Sequence, residues 1–133
     1  MNVVIVGCGR VGARLAASLD QSGHRVAIVD MQQPAFRRLP QDFNGKAILG
    51  TGIDTDVLKS AGIEDADAFF AVTNGDNTNI MAAQIAQRIF DIPHVAARIY
   101  DPVREETYRK MGIYTVCPTT TISALLLNAI ADN

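Results

Sequence analysis

Short hydrophobic runs alternate with amphipathic segments from one end of the chain to the other. Several of the runs are continuously apolar, which is typical of parallel strands covered on both faces. Six strands are predicted, at residues 2–6, 26–30, 46–49, 68–72, 94–99 and 114–117.

The segments between these runs have helical periodicity. A first helix, ending near Gly23, is predicted from apolar residues at four-residue spacing, Val11, Leu15 and Leu19. The longest helix begins at Asp76, a predicted N-cap, and one face is predicted to carry Met81, Ile85 and Ile89 with alanines beside them. Further helices are predicted at residues 34–39, 55–61, 102–111 and about 119–131.

Strands that alternate regularly with helices predict a Rossmann-like, doubly wound parallel sheet in the order 3-2-1-4-5-6, with helices on both faces. The 133 residues suit a single domain. Right-handed crossovers place the ligand crevice of such a sheet at the carboxyl ends of strands one and four.

A glycine-rich turn follows the first strand directly. Gly7, Gly9 and Gly12 form a G-x-G-x-x-G motif, in which they allow a tight turn, a close approach of pyrophosphate and close helix packing, respectively. The helix N-terminus behind the turn attracts phosphate. Asp30 ends the second strand, where a carboxylate can accept hydrogen bonds from the adenosine ribose. Together these features predict a site for an adenine nucleotide.

Two arginines are candidate phosphate ligands. Arg10 lies inside the glycine turn at the helix N-terminus, where a cation without an anionic ligand would oppose the helix dipole. Arg98 interrupts an apolar strand, so it either meets an anion or lies on an exposed edge strand.

Loops after strands three and four supply the remaining candidates. Thr51 and Gly52 can approach the adenine ring, although the same loop also suits a plain turn. Thr73 and Asn74 can bind a second ribose or a phosphate, whereas Asn79 is expected to tie down their loop. The predicted site also includes three neighbours of these residues, Val11, Met31 and Ile53.

The residue type at the end of strand two bears on the choice of nucleotide. The Asp30 carboxylate repels a 2′-phosphate, and residues 31–33 supply no compensating cation, so NADP is disfavoured. NAD(H), ATP, ADP and AMP share the adenosine half and all remain open.

Composition excludes several functional classes. A formal net charge of −2 gives no electrostatic footprint for nucleic acid. No apolar run is long enough to insert into a membrane, and two distant cysteines indicate reduced thiols in a cytoplasmic protein without a metal site.

Catalytic groups are hard to find in this sequence. No tyrosine has a lysine four residues on, and His24 and His94 precede strands, at the opposite end of the sheet from the crevice. A non-catalytic nucleotide-binding domain is therefore expected. The alternatives are an NAD-dependent oxidoreductase fragment that lacks its substrate domain and an interaction module with an empty glycine turn.

Several segments together resemble the N-terminal, nucleotide-binding half of RCK/KTN domains, in particular the TrkA-N branch. They are VIVGCGRVG at 4–12, GTG at 50–52, DVL at 56–58, AGIEDADA at 61–68, AVTNGDNTN at 71–79, QIA at 84–86 and ARI before DP at 97–102. The resemblance implies a regulatory domain that senses a nucleotide without catalysis. It also implies a location at the inner face of the cell membrane, beside a membrane-embedded potassium channel or transporter.

The same resemblance refines the expected ligand and assembly. The Gly50-Thr51-Gly52 loop favours NAD(H) over ATP or ADP, and Arg10 and Arg98 match positions associated with nucleotide phosphates. The family usually continues into an RCK-C domain, which these residues do not contain.

The final helix carries an apolar stripe that must be covered. Its members are Ile122, Leu125, Leu126, Ala129 and Ile130. RCK domains pair through crossover helices of this kind, so a homodimer or larger homo-oligomer is expected. The alternative is a helix that folds back onto its own sheet.

Overall fold

Six parallel strands form one sheet in the order β3-β2-β1-β4-β5-β6. The computed structural model describes residues 1–131, so positions 132 and 133 of the predicted domain lie outside the described residues. The strands are β1 (Asn2–Val6), β2 (Arg25–Asp30), β3 (Lys46–Leu49), β4 (Ala68–Ala71), β5 (His94–Arg98) and β6 (Tyr114–Val116). The predicted fold class, strand order and strand positions are confirmed.

Helices flank both faces of the sheet, and all but the last of them connect consecutive strands. They are α1 (Arg10–Gln21), α2 (Thr55–Ser60), α3 (Asp76–Gln84), α4 (Pro102–Lys110) and α5 (Pro118–Ala131). A 3₁₀ helix at Gln33–Arg38 follows β2, and a short one at Ile63–Asp65 precedes β4. A π-helical turn, Ile85–Ile89, continues α3 towards β5.

The core lies on both sides of β1, which is flanked by β2 and β4. Val4 and Val6 face a cluster that includes Phe69 of β4, whereas Val3 and Ile5 face α1 on the other side. All four of these β1 residues are at most 3% exposed, which is why the strand is continuously apolar.

The predicted apolar face of α3 is only partly correct: Ile85 packs against the core and the neighbouring alanines are buried, but the other two residues are not. Met81 and Ile89 are 48% and 61% exposed, and the helix instead buries Asn79, Ile80 and the small residues that follow. Alanines allow α3 to pack closely on the sheet. The π-helical turn then changes the phase of the residues after Gln84.

The predicted cap of α3 is also wrong. Gly75 occupies the N-cap position without a side-chain hydrogen bond, and Asp76 is the first residue of the helix. The Asp76 carboxylate instead accepts hydrogen bonds from the backbone N–H groups of Tyr100 and Asp101, at 2.8 and 3.2 Å. It therefore links α3 to the segment that follows β5.

The predicted apolar face of α1 is wrong at its first position, Val11. Val11 is exposed, and the helix buries Gly12, Ala13 and Ala16 against the sheet. Leu15 and Leu19 pack at the border of this cluster. A helix that rests on small residues lies closer to β1 than one that rests on leucines.

None of the α5 residues is buried within the chain. Leu125 and Leu126 are 64% and 66% exposed, so the alternative in which this helix folds onto its own sheet is wrong. Within residues 1–131, no helix combines the length and apolar character needed to cross a membrane.

Candidate functional site

The glycine turn between β1 and α1 is built on close backbone contacts. Gly7 has a φ of +108°, and a Cβ there would lie 2.9 Å from both the Thr73 nitrogen and the Val72 carbonyl oxygen. A Cβ on Gly12 would overlap the carbonyl oxygen of Gly7. In contrast, a Cβ on Gly9 would meet nothing within 4 Å, so a ligand can approach this part of the turn.

Asp30 joins the glycine turn to the end of β2. One carboxylate oxygen accepts a hydrogen bond from the Cys8 N–H at 2.7 Å, and the other accepts one from the Gln32 N–H at 2.8 Å. A carboxylate has about four lone-pair sites, so each oxygen can accept a further hydrogen bond from a ribose hydroxyl.

A cavity of about 830 Å³ opens at the carboxyl ends of β1, β2 and β4. It brings together eight of the predicted site residues, Gly7, Gly9, Asp30, Met31, Thr51, Gly52, Thr73 and Asn74. The remaining five do not line it. Arg10, Val11 and Ile53 are exposed beside the cavity-lining loops, and Gly12 packs under the turn.

Two cations in the cavity wall were missed by the sequence analysis. Arg37 and Arg38 extend from the 3₁₀ helix after β2, and the Arg38 guanidinium lies 3.5 Å from the Cys8 carbonyl oxygen. Residues 31–33 supply no cation, but these two arginines bring positive charge to the same cavity as Asp30. The adjacent arginines near the end of a predicted helix were the available signal.

Cys8 lies in the glycine turn and is fully buried. Its thiol donates a hydrogen bond to the Ala35 carbonyl at 3.4 Å, which connects the turn to the 3₁₀ helix. Burial, reinforced by the negative charge of Asp30 and partly offset by Arg38, raises the pKa of Cys8 to about 11. The group is therefore a neutral thiol near pH 7 rather than a nucleophilic thiolate.

Asn79 holds the loop between β4 and α3, as the sequence predicts. Its side-chain oxygen accepts hydrogen bonds from the N–H and the hydroxyl of Thr73, at 2.8 and 2.6 Å. Its amide nitrogen donates to the carbonyls of Thr73 and Arg98, at 3.0 and 2.8 Å. Four contacts thus satisfy a fully buried polar side chain.

Arg98 reaches the same loop from β5. Its Nη2 donates to the carbonyls of Val72 and Thr73, at 2.7 and 3.0 Å, and its guanidinium lies 5.0 Å from the centre of the Tyr100 ring. Since β5 lies between β4 and β6, the alternative of an exposed edge strand is wrong. The buried Nε has no hydrogen-bond partner among residues 1–131.

Comparison with known sequences matches residues 3–119 to the profile of the TrkA-N domain. The chain is 53% identical over 116 residues to a Trk system potassium uptake protein TrkA of Streptomyces coelicolor, covering 87% of this chain and 52% of that protein. It is 35% identical to a TrkA homolog of Methanothermobacter thermautotrophicus, covering 95% and 58%. The chain thus spans little more than half the length of these two relatives.

Solved structures share the fold at low sequence identity. The TrkA-N domain of the inner membrane protein ybaL from Escherichia coli has a TM-score of 0.85 at 18% identity, over 97% of this chain and 96% of that one. The GsuK channel bound to NAD has a TM-score of 0.79 at 23% identity, over 96% and 22%. GsuK bound to ADP has a TM-score of 0.72 at 21% identity, over 89% and 31%.

Proposed function

The chain belongs to the TrkA-N domain family, and from that premise we propose that it is a nucleotide-sensing domain that regulates potassium transport. One observation carries the proposal: the cavity joins the glycine turn, the α1 N-terminus and Asp30 at the switch point of the sheet. Backbone N–H groups there favour phosphate, and the carboxylate suits a ribose. The names of the curated relatives supply the transport process.

The preferred ligand in this proposal is NAD(H), ahead of ATP, ADP and AMP. The cavity extends from Asp30, past Gly9, to Thr73 and Asn74 at the end of β4. A dinucleotide has a second ribose that can use this far wall, whereas AMP has none. GsuK, a structural neighbour, is known bound to NAD and to ADP, so both ligands belong in the test.

NADP(H) is the disfavoured nucleotide, because Asp30 repels a 2′-phosphate. Arg37 and Arg38 line the same cavity, and their positive charges would partly offset this repulsion. NADPH is therefore the sharpest comparison for NADH, since the two differ only by that phosphate.

Sensing without chemistry is the mechanism we propose. The ionisable side chains among the described cavity-lining residues are Cys8, Asp30, Arg37 and Arg38. The raised pKa of Cys8 keeps the thiol protonated, and Asp30 is engaged by two backbone N–H groups. This set supports binding of a nucleotide better than proton transfer to a second substrate. The rival oxidoreductase would need a substrate domain to supply those groups.

The proposed partners are a second copy of this chain and a membrane-embedded potassium channel or transporter. The exposed apolar face of α5 supports the first, because an uncovered row of leucines is unfavourable in water. The names of the curated relatives support the second, and the proposed location is accordingly the cytoplasmic face of the membrane. A ligand acts on such an assembly only by binding two of its arrangements with different affinity.

Titration calorimetry against NADH, NAD, NADPH, ATP, ADP and AMP tests the proposed function. NADH is expected to bind most tightly, and Asp30→Ala is expected to weaken every ligand about tenfold, because all of them contain the adenosine ribose. Asp42→Ala, at an exposed position before β3, is the matched control.

The titration tests nucleotide binding, and a separate incubation of NADH with the protein distinguishes a sensor from an enzyme. Absence of binding by every nucleotide at millimolar concentration would contradict the proposed function, and tighter binding of ATP than NADH would reverse the ranking. NADH recovered unchanged after long incubation with small carbonyl compounds supports a sensor. NADH consumed under those conditions supports the oxidoreductase.

A further inference from the structure

We propose that Arg98 is a positioning residue of the nucleotide cavity, acting through the loop between β4 and α3. Its guanidinium holds the backbone of the loop that carries Thr73 and Asn74. These two residues form the far wall of the cavity, against which the second half of a dinucleotide would lie. This inference rests on the proposed function and adds a residue that determines which nucleotides can use that wall.

The loop has little freedom to move without disturbing the rest of the site. The N–H of Val72 donates to the Val6 carbonyl at 2.8 Å, which fixes the end of β4 against β1. The backbone of Val72 and Thr73 then lies directly against Gly7, where even a Cβ would not fit. The orientation of Thr73 and the shape of the glycine turn are therefore set together.

Two side chains hold this loop, the fully buried Asn79 and the partly buried Arg98. Asn79 binds the N–H, hydroxyl and carbonyl of Thr73 from α3. Arg98 binds the carbonyls of Val72 and Thr73 from β5, and its own carbonyl accepts from Asn79. Because Arg98 contributes a charged donor and Asn79 does not, the arginine supplies the stronger contacts to the two carbonyls.

The placement of Arg98 distinguishes a positioning role from direct contact with phosphate. The guanidinium lies behind the loop and is not among the residues that line the cavity. The Tyr100 ring supports the guanidinium at 5.0 Å, and the N–H of Tyr100 is bound in turn by Asp76 of α3. The side chain is thus held in an orientation that favours the carbonyls of the loop.

The expected consequence is a selective loss of affinity. NADH reaches Thr73 and Asn74 across the switch point, whereas AMP occupies only the half beside Asp30 and the glycine turn. Without the Arg98 guanidinium the loop that carries Thr73 and Asn74 is no longer held in place. The half of the cavity beside Asp30 keeps the contacts of Asp30 with Cys8 and Gln32. The ratio of NADH affinity to AMP affinity therefore measures the role of Arg98.

The test compares wild type, Arg98→Met and Arg98→Lys with the control Arg88→Met, which changes an exposed arginine of the π-helical turn. Arg98→Met is expected to weaken NADH about tenfold and AMP less than about twofold. Arg98→Lys retains the charge and should fall between wild type and Arg98→Met. Hydrogen exchange of the free proteins should be faster at the Thr73 and Gly75 amides in both Arg98 variants and unchanged in Arg88→Met.

The outcomes separate this inference from the proposed function. Equal loss of NADH and AMP affinity, or unchanged exchange of the loop amides, would overturn the positioning role alone. Lost affinity with unchanged exchange would instead indicate direct contact with phosphate. A wild-type protein that binds no nucleotide would overturn both proposals. If Arg98→Met does not fold, the same measurements on Arg98→Lys decide between these outcomes.

Discussion

Cys8 and Asp30 both serve two purposes in the glycine turn. The Asp30 carboxylate fixes the Cys8 N–H while it faces the cavity, and the Cys8 thiol anchors the turn to the 3₁₀ helix through Ala35. The negative charge of Asp30 also contributes to the raised pKa of the Cys8 thiol. A change at either position therefore alters the local structure as well as the ligand site.

The raised pKa of Cys8 predicts a dependence of stability on pH. The folded protein keeps the thiol proton up to a pKa of about 11, whereas the ordinary value is 9.0. Between these values the unfolded chain binds fewer protons, so the free energy of unfolding falls as pH rises, by about 2 kcal/mol. Cys8→Ala should lack this part of the decrease. Chemical denaturation at pH 8 and pH 11 measures it, and parallel pH profiles for the two proteins would contradict it.

Some residues of the site could not be identified from the sequence, because their partners are distant along the chain. Asp76 precedes a helix and resembles a cap, but its hydrogen-bond partners are the N–H groups of Tyr100 and Asp101. Arg37 and Arg38 resemble an ordinary helix end, and only the position of their 3₁₀ helix brings them to the cavity. The positions of the glycine turn and Asp30 at the cavity were predictable, because their spacing is typical of this strand–turn–helix–strand arrangement.

Among the elements, α1 depends most directly on one small residue. Gly12 allows the helix to lie against the glycine turn, where a Cβ would overlap the Gly7 carbonyl. Gly12→Ala is expected to push α1 away from β1 and to lower the free energy of unfolding by about 2 kcal/mol. Ser18→Ala, exposed on the same helix, is the control. Urea denaturation of both variants tests this, and equal stability of the two would show that the packing can relax.

The six strands were predictable to within one residue at each end, whereas the buried faces of the helices were not. A central parallel strand such as β1 is apolar throughout, so its pattern is unambiguous. In α3 the buried side is defined by alanines and Asn79, which carry little hydrophobic signal, and the π-helical turn shifts the phase of the residues beyond. Large apolar residues such as Met81, which are exposed, therefore made the periodicity indicate the wrong face.

At the scale of the whole molecule, α5 is the element whose apolar side chains remain exposed. A Leu125→Asp/Leu126→Asp double variant is expected to remain folded, because neither side chain is buried within the chain, and to become monomeric, because two charges disfavour burial in an interface. Thr121→Asp/Asn128→Asp, on the same helix, is the control. Sedimentation at tens of micromolar distinguishes them. A monomeric wild type, or a dimeric double variant, would contradict the proposed assembly.

The order of the strands also has a consequence for how the protein folds. β1 pairs with β2 and with β4, so one neighbour follows soon after it along the chain and the other only after β3 and α2. Pairings between distant segments form slowly, since a long loop must close before they contribute. The turn and Asp30 can therefore assemble early, whereas the wall formed by Thr73 is added later. A dinucleotide that uses both walls would therefore bind the completed fold and not a chain in which only β1 and β2 have paired.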